Sequence, residues 1–193
     1  MLVHADESCL GNQNAGPSRG GAGALVERRT NGAIERCDFL LSSPNTTNNQ
    51  MALAGAIEIL QTLGAEQAPA ITYYSDSTYL VKGATDWVHR WKRNDWRRQG
   101  GAVENLQLWQ ALHELDRHNP VTWKWVRGHA GHAKNEYADQ LAVGAAEQQM
   151  HSNGFVESRF IDWLEREQAT GEFGDYDPDR DFTEREQKHM TKV

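Results

Sequence analysis

Cysteine is nearly absent: Cys9 and Cys37 are the only two in 193 residues. That count excludes a disulfide framework and points to free thiols in a reducing compartment. Long apolar runs are missing too, none approaching the roughly 18 residues of a membrane span, and MLVHADESCL enters a mixed strand without a basic and apolar leader. The expectation is a cytoplasmic chain with no membrane partner. An excess of positive charge is also lacking, since the formal net charge is −7. This argues against a nucleic-acid partner only until the charges are placed along the chain. Residues 151–193 hold eleven acidic and six basic side chains, most of the deficit. Within the first 150, HRWKRNDWRR (89–98) sets Arg90, Lys92, Arg93, Arg97 and Arg98 against Asp95 alone, with Trp91 and Trp96 interleaved. A local basic and aromatic patch survives an acidic average.

Strand-like stretches come first, at 2–10, 20–29 and 33–42, and Thr30, Asn31 and Gly32 read as a hairpin turn between the second and third. A helix from about Thr47 carries Leu53, Ile57 and Leu60 as its core stripe. ITYYSD (71–76) and VTWKWVRG (121–128) read as later strands, with helical segments over 77–93, 104–118 and 133–149. A meander followed by strand, helix, strand and helix implies right-handed crossovers. The fold class is therefore α/β, a five-stranded mixed sheet with strands 1 to 3 antiparallel, strands 4 and 5 parallel to strand 1, and helices on both faces. After Met150 the composition shifts to glycine and acid. ESRFIDWLEREQ (157–168) suits a short helix, and Thr183 with Glu186 has capping-box spacing for another. Residues 1–150 are expected to form one domain, and 151–193 a loosely attached acidic extension, partly helical or disordered. That extension could also act as a cover over the basic patch.

Three acidic residues stand where chemistry could occur. Asp6 lies in the first strand, where a solvated edge residue is the commoner case. Asp76 ends the fourth strand and equally suits a helix cap. Ligands, however, gather at the carboxyl ends of adjacent parallel strands, so the two could converge. Asp139 is in the last long helix, preceded by GHAGH (128–132), whose His129 is a natural proton carrier if it stands beside carboxylates. Three carboxylates on three elements suit hard divalent cations, and two such ions can drive phosphodiester hydrolysis.

Taken together, DESCLGN, TTNNQM, YSDSTYL, WVHRWKRNDW, NLQLW, WKWVRGHAGHAKNE and YADQLA resemble type 1 ribonuclease H, in order and nearly in register from residue 2 to about 148. The resemblance implies an endonuclease that cuts the RNA strand of RNA/DNA hybrids by a two-metal mechanism. Two Mg²⁺ ions would bind with substrate, Mn²⁺ being a substitute, and the chain would act as a monomer. It implies Asp6, Asp76 and Asp139 as metal ligands and catalytic carboxylates, and His129 as the assisting histidine. The family's fourth carboxylate is a glutamate at the position of Ala52. Alanine keeps helix propensity, so the expected loss is chemical rather than structural. Glu7 follows Asp6 where the family usually has glycine, and strand alternation directs it to the opposite face, so it is not expected to substitute. An impaired enzyme follows, with a catalytically inactive hybrid-binding protein as the alternative. A lone alanine with all else retained resembles a deliberate inactivation.

By the same resemblance Asn12, Asn48 and Asn49 serve the minor groove with Cys9 beside them, and Thr47 belongs to a DNA-phosphate pocket. Thr47 through Asn49 suit helix capping equally well. Thr78 stands where relatives often carry glutamine. Trp87, Trp91, Lys92, Arg93, Trp96, Arg97 and Arg98 match a basic protrusion that tracks the DNA strand. Spacing by four fits Trp87 and Trp91 to core packing as readily as to contact. Downstream GGAV lacks the lysines of many relatives, which implies weaker, salt-dependent binding.

Overall fold

The computed structural model describes residues 1–11, 18–64, 70–119 and 121–190. Asn12, expected at the minor groove, lies outside the described residues.

Three antiparallel strands open the chain: β1 (Leu2–Leu10), β2 (Arg19–Thr30) and β3 (Ala33–Pro44). Asn31 and Gly32 join the last two with φ of 53° and 85°, the left-handed pair whose twist suits a two-residue hairpin. Helix α1 (Asn48–Leu63) begins at a capping box, in which the Thr47 side chain accepts from the Gln50 N–H while the Gln50 side chain accepts from the Thr47 N–H. β4 (Ile71–Ser75) pairs parallel to β1. Then α2 (Thr78–Lys82), a wider π-type turn over Gly83–Trp87, and α3 (Val88–Arg93) follow one another without a break. A small hairpin, β5 (Arg97–Arg98) with β6 (Gly101–Ala102), leads into α4 (Leu106–His118). β7 (Val121–Trp125) pairs parallel to β4, and α5 (Ala133–Gln148) covers β1 and β2. The expected five strands are present with the expected directions.

A sixth strand was not foreseen. β8 (Val156–Glu157) pairs with the outer edge of β3 through Cys37↔Glu157 and Asp38↔Val156, giving the order β7-β4-β1-β2-β3-β8. Two residues are too few to show a period of two, so sequence pattern could not reveal it.

The two faces are packed differently. On one, α1 lays Met51, Leu53, Ile57 and Leu60 on the sheet, and α4 covers it from outside, so α1 is buried on more than one stripe. On the other, α5 presents Ala138, Ala142 and Ala145 to the glycines of β2. A Cβ on Gly23 would stand 2.5 Å from the Ala142 backbone nitrogen and 2.5 Å from the Leu141 Cβ. Backbone cannot yield as a side chain can, so Gly23→Ala is expected to cost about 3 kcal/mol by overpacking. Chemical denaturation would show the loss, and an unchanged midpoint would contradict this account of the α5 contact.

The segment after Met150 is not loosely attached. α6 (Phe160–Ala169) and α7 (Pro178–Met190) pack on the α5 side, where Phe160, Trp163 and Leu164 join Leu25, Ala133 and Tyr137 in a second core. α7 starts earlier than the Thr183 signal suggested. Pro178 supplies the preset φ of a first turn, and the Asp177 carboxylate accepts from the N–H groups of Asp179 and Arg180. Buried charge ties the parts together: Glu27, fully buried, meets Arg36 at 2.9 Å and Lys134 at 2.7 Å, and Lys134 meets Asp181 at 2.9 Å. Arg36 reaches Asp179 at 2.6 Å and Arg29 reaches Glu186 at 2.9 Å. Among the described residues these acids pair with the sheet and α5, and none pairs with the cations of 89–98, so the extension is not a cover over the basic patch.

Candidate active site

The parallel pairing of β1 with β4 ends at Ala5↔Ser75, and beyond it the two strands part at their carboxyl ends. Asp6 and Asp76 stand on that lip. Asp6 is paired with Gly23 and so faces α5, whose Asn135 Nδ2 donates to Asp6 Oδ2 at 3.1 Å. The Glu7 N–H donates to Asp6 Oδ1 at 2.7 Å. Glu7 is paired with Ala22, which lies against Gly55 of α1, so its Cβ does start on the opposite face. Even so, one carboxylate oxygen from each of Asp6, Glu7 and Asp76 lies within 4.8 Å of the others. This corrects the expectation that alternation removes Glu7 from the site. With no β4 residue alongside β1 past Ala5, a side chain one methylene longer than aspartate can turn round the strand edge, where the Ser77 hydroxyl donates to it.

Such crowding is electrostatically expensive without a cation. Burial, then Asp76 and Glu7, push the Asp6 carboxyl up to about 8. Burial and Asp76 push Glu7 up to about 7, against the Ser77 hydrogen bond. Asp76 is also raised, chiefly by burial, with a hydrogen bond shared with Asp6 working the other way. The folded metal-free protein therefore keeps protons that the unfolded chain has lost, and its stability falls as pH rises from about 4 to about 8. Asp6→Asn is expected to flatten that fall and to gain roughly 2 kcal/mol at the upper end, less than isolated shifts would total because the acids share protons. Thermal melts in chelator across this range would check it. A variant that melts in parallel with the parent at every pH would refute it.

Asp139, on α5, lies outside the tight three-residue set, though near enough that its charge helps raise Asp6. Its own carboxyl is raised by burial, with His129 opposing. His129 is exposed, sits at a left-handed φ of 49°, and its Nδ1 is 3.6 Å from Glu136 Oε2. Glu136 was missed in the sequence, where it was only a letter inside the helix bearing Asp139. Its signal is the spacing of three to Asp139, which places both on one side of α5. Gly128 lies so close to Asp76 that any Cβ there would strike the carboxylate, which explains glycine at the start of the histidine loop.

The other expected contacts fall in two places. Beside α1, Thr47 is engaged in the capping box, Asn48 and Asn49 form the first turn, and the Cys9 thiol donates to the Thr46 carbonyl at 3.3 Å. Thr78 is exposed at the start of α2. Farther along, Trp87 meets Tyr79 edge-on, Trp91 meets the buried Trp109 edge-on, and Trp96 packs on His113, so all three have a packing role. Lys92 Nζ is 3.1 Å from His113 Nε2, Arg93 bonds the His89 carbonyl, and Arg98 pairs with Glu104. Arg97 is exposed, and with Trp87, Trp91, Arg90 and Arg98 it lines a 460 Å³ groove.

A mixed α/β sheet with carboxylates gathered at the parting ends of two parallel strands defines a class of proteins built to hold hard cations there, since every donor is oxygen. Within that class the chain belongs to the ribonuclease H family, whose model matches residues 1–147. It is 42% identical to the ribonuclease H of Roseobacter denitrificans over 144 residues, covering 74% of this chain and 92% of the relative. It is 39% identical to a ribonuclease H of Haemophilus influenzae, covering 80% and 96%. Among solved structures it resembles LC9-RNase H1, described as a type 1 RNase H with the type 2 active-site motif, at 48% identity and a TM-score of 0.77, covering 84% of this chain and 79% of that one. The foamy virus RNase H domain shares the fold at 17% identity and a TM-score of 0.62.

Proposed function

We propose that this chain is an endonuclease that hydrolyses the RNA strand of RNA/DNA hybrids, acting as a cytoplasmic monomer, with Glu7 supplying the carboxylate that position 52 lacks. The carrying observation is the convergence of Asp6, Glu7 and Asp76 oxygens within 4.8 Å. Three acids that hold one another's protons against release fit a doubly charged cation better than any neutral ligand. The oxygen set suits Mg²⁺, with Mn²⁺ as a substitute, and two such ions, when bound, supply Lewis-acid stabilisation and an activated water.

The chain's own residues then have separable tasks. Asn135 orients Asp6 and Ser77 orients Glu7. Asp139 closes the site from α5, and His129, steadied by Glu136, carries a proton to or from the reacting phosphate. Cys9, Asn48 and Asn49 face the minor groove of the hybrid, where 2′-hydroxyls distinguish RNA from DNA, and Thr47 meets a DNA phosphate. Arg93, Arg97 and Arg98 track the DNA strand by charge. In this reading Ala52 marks a ligand moved from α1 to β1, both of which serve the same sheet face. A solved relative carrying another active-site motif on the type 1 framework supports such variation.

The test is cleavage of an end-labelled RNA strand in a hybrid with Mg²⁺, against single-stranded RNA and duplex DNA. Cuts in the hybrid alone, abolished by chelator, are expected. Binding of hybrid without cleavage in either Mg²⁺ or Mn²⁺ would instead favour the inactive hybrid-binding reading that Ala52 suggests.

A further inference from the structure

Beside the carboxylates, on the α5 side, the extension builds one wall of a 640 Å³ groove lined by His129, Glu136, Trp163, Glu167, Glu172 and Phe173. Among the described residues no lysine or arginine lines it. Three other acids of the extension are paired, Asp179 with Arg36, Asp181 with Lys134 and Arg185, and Glu186 with Arg29. Glu167 and Glu172, by contrast, have no ion pair among the described residues, and they are carried on a wall held firmly by Trp163 against Tyr137 and Phe173 at 5.2 and 5.4 Å. The basic groove of Arg90, Arg97 and Arg98 belongs to elements on the α1 side. The site thus lies between a cationic flank and an anionic one.

We propose that Glu167 and Glu172 are specificity-determining residues that exclude nucleic-acid phosphates from the groove beyond His129, so that a bound duplex gains contacts only toward the basic flank. The idea rests on the hybrid-nuclease reading and adds to it a limit on how much duplex the site engages. A polyanion running past His129 would bring its phosphates to uncompensated carboxylates, a repulsion that salt screens within about 8–10 Å. Binding should therefore gain little from lengthening the hybrid on that side.

Fluorescence anisotropy without divalent cation would compare the full chain with Glu167→Gln/Glu172→Gln on hybrids of about 10 and about 30 base pairs, one and three turns. A second variant, Glu157→Gln/Glu184→Gln, changes net charge equally at exposed acids away from the groove. The groove variant is expected to bind the long hybrid about tenfold tighter at low salt, with the short hybrid changed less than twofold and the difference lost at high salt. The control variant should show no such length dependence. An equal gain on both lengths, an equal gain in the control, or no gain overturns the exclusion while leaving the nuclease reading intact. Failure of every protein to bind either hybrid at low salt overturns both.

Discussion

Glu7→Gln is expected to lower kcat on an RNA/DNA hybrid by on the order of 10³-fold while leaving KM within a few-fold, because the carboxylate serves the reacting centre and not the duplex grip. The amide keeps the shape and can still meet Ser77, so the fold should survive, and metal-free stability at high pH should rise as one of three crowded charges disappears. The informative partner is Ala52→Glu. Added to the parent, it places a further acid near an already crowded face and should raise activity little. Added to Glu7→Gln, it should recover much of the loss, since either position can then serve one role, and the two substitutions will be strongly non-additive. Kinetics and metal titration of the four proteins decide this. If Glu7→Gln cuts like the parent and Ala52→Glu accelerates it by orders of magnitude, Glu7 is a bystander and Ala52 is the defect.

The second large effect concerns residues 151–193. Their removal would bare Leu25 and Tyr137, delete Phe160, Trp163 and Leu164 from the second core, and take Asp181 from Lys134, which is only 3% exposed. Burying a charge after loss of a partner costs about 3–5 kcal/mol, and each large apolar deletion a comparable amount. Against a total stability of roughly 5–15 kcal/mol, the shortened chain is expected to lose its cooperative melt and its activity together. A milder version, Phe160→Ala, should lower Tm by on the order of 10 °C in the otherwise complete chain. A shortened chain that melts sharply and cuts hybrid normally would show the extension to be an accessory.

Much of the site was legible because its signals are local. Asp6 and Asp76 follow from strand ends, the five strands from period and turn residues, and the left-handed Asn31-Gly32 turn from composition. Glu7 was misread because alternation fixes only the face on which its Cβ starts, and past Ala5 no β4 residue stands alongside β1 to keep the longer side chain there. The extension was misread for a different reason. Its acid content resembles a solvated segment, yet the cations that neutralise it, Arg29, Arg36 and Lys134, come from β2, β3 and α5, far away in sequence. Phe160, Trp163 and Leu164, at i, i+3 and i+4, were the available sign of a buried face. Whether Trp87 and Trp91 pack or touch a ligand could not be read from spacing, since the aromatic cluster that holds them includes Tyr79 and Trp109 on other elements.

The tie between Lys134 and Asp181 also orders events during synthesis. Domains fold in units as the chain leaves the ribosome, and the stretch matching the family model is made before the helices that cover α5. Until residues 160–181 have been made, the α5 face stays uncovered and Lys134 lacks one of its two carboxylates. A nascent chain therefore reaches its working form only after the covering helices have been made, with an interval in which chaperones have an apolar face to hold.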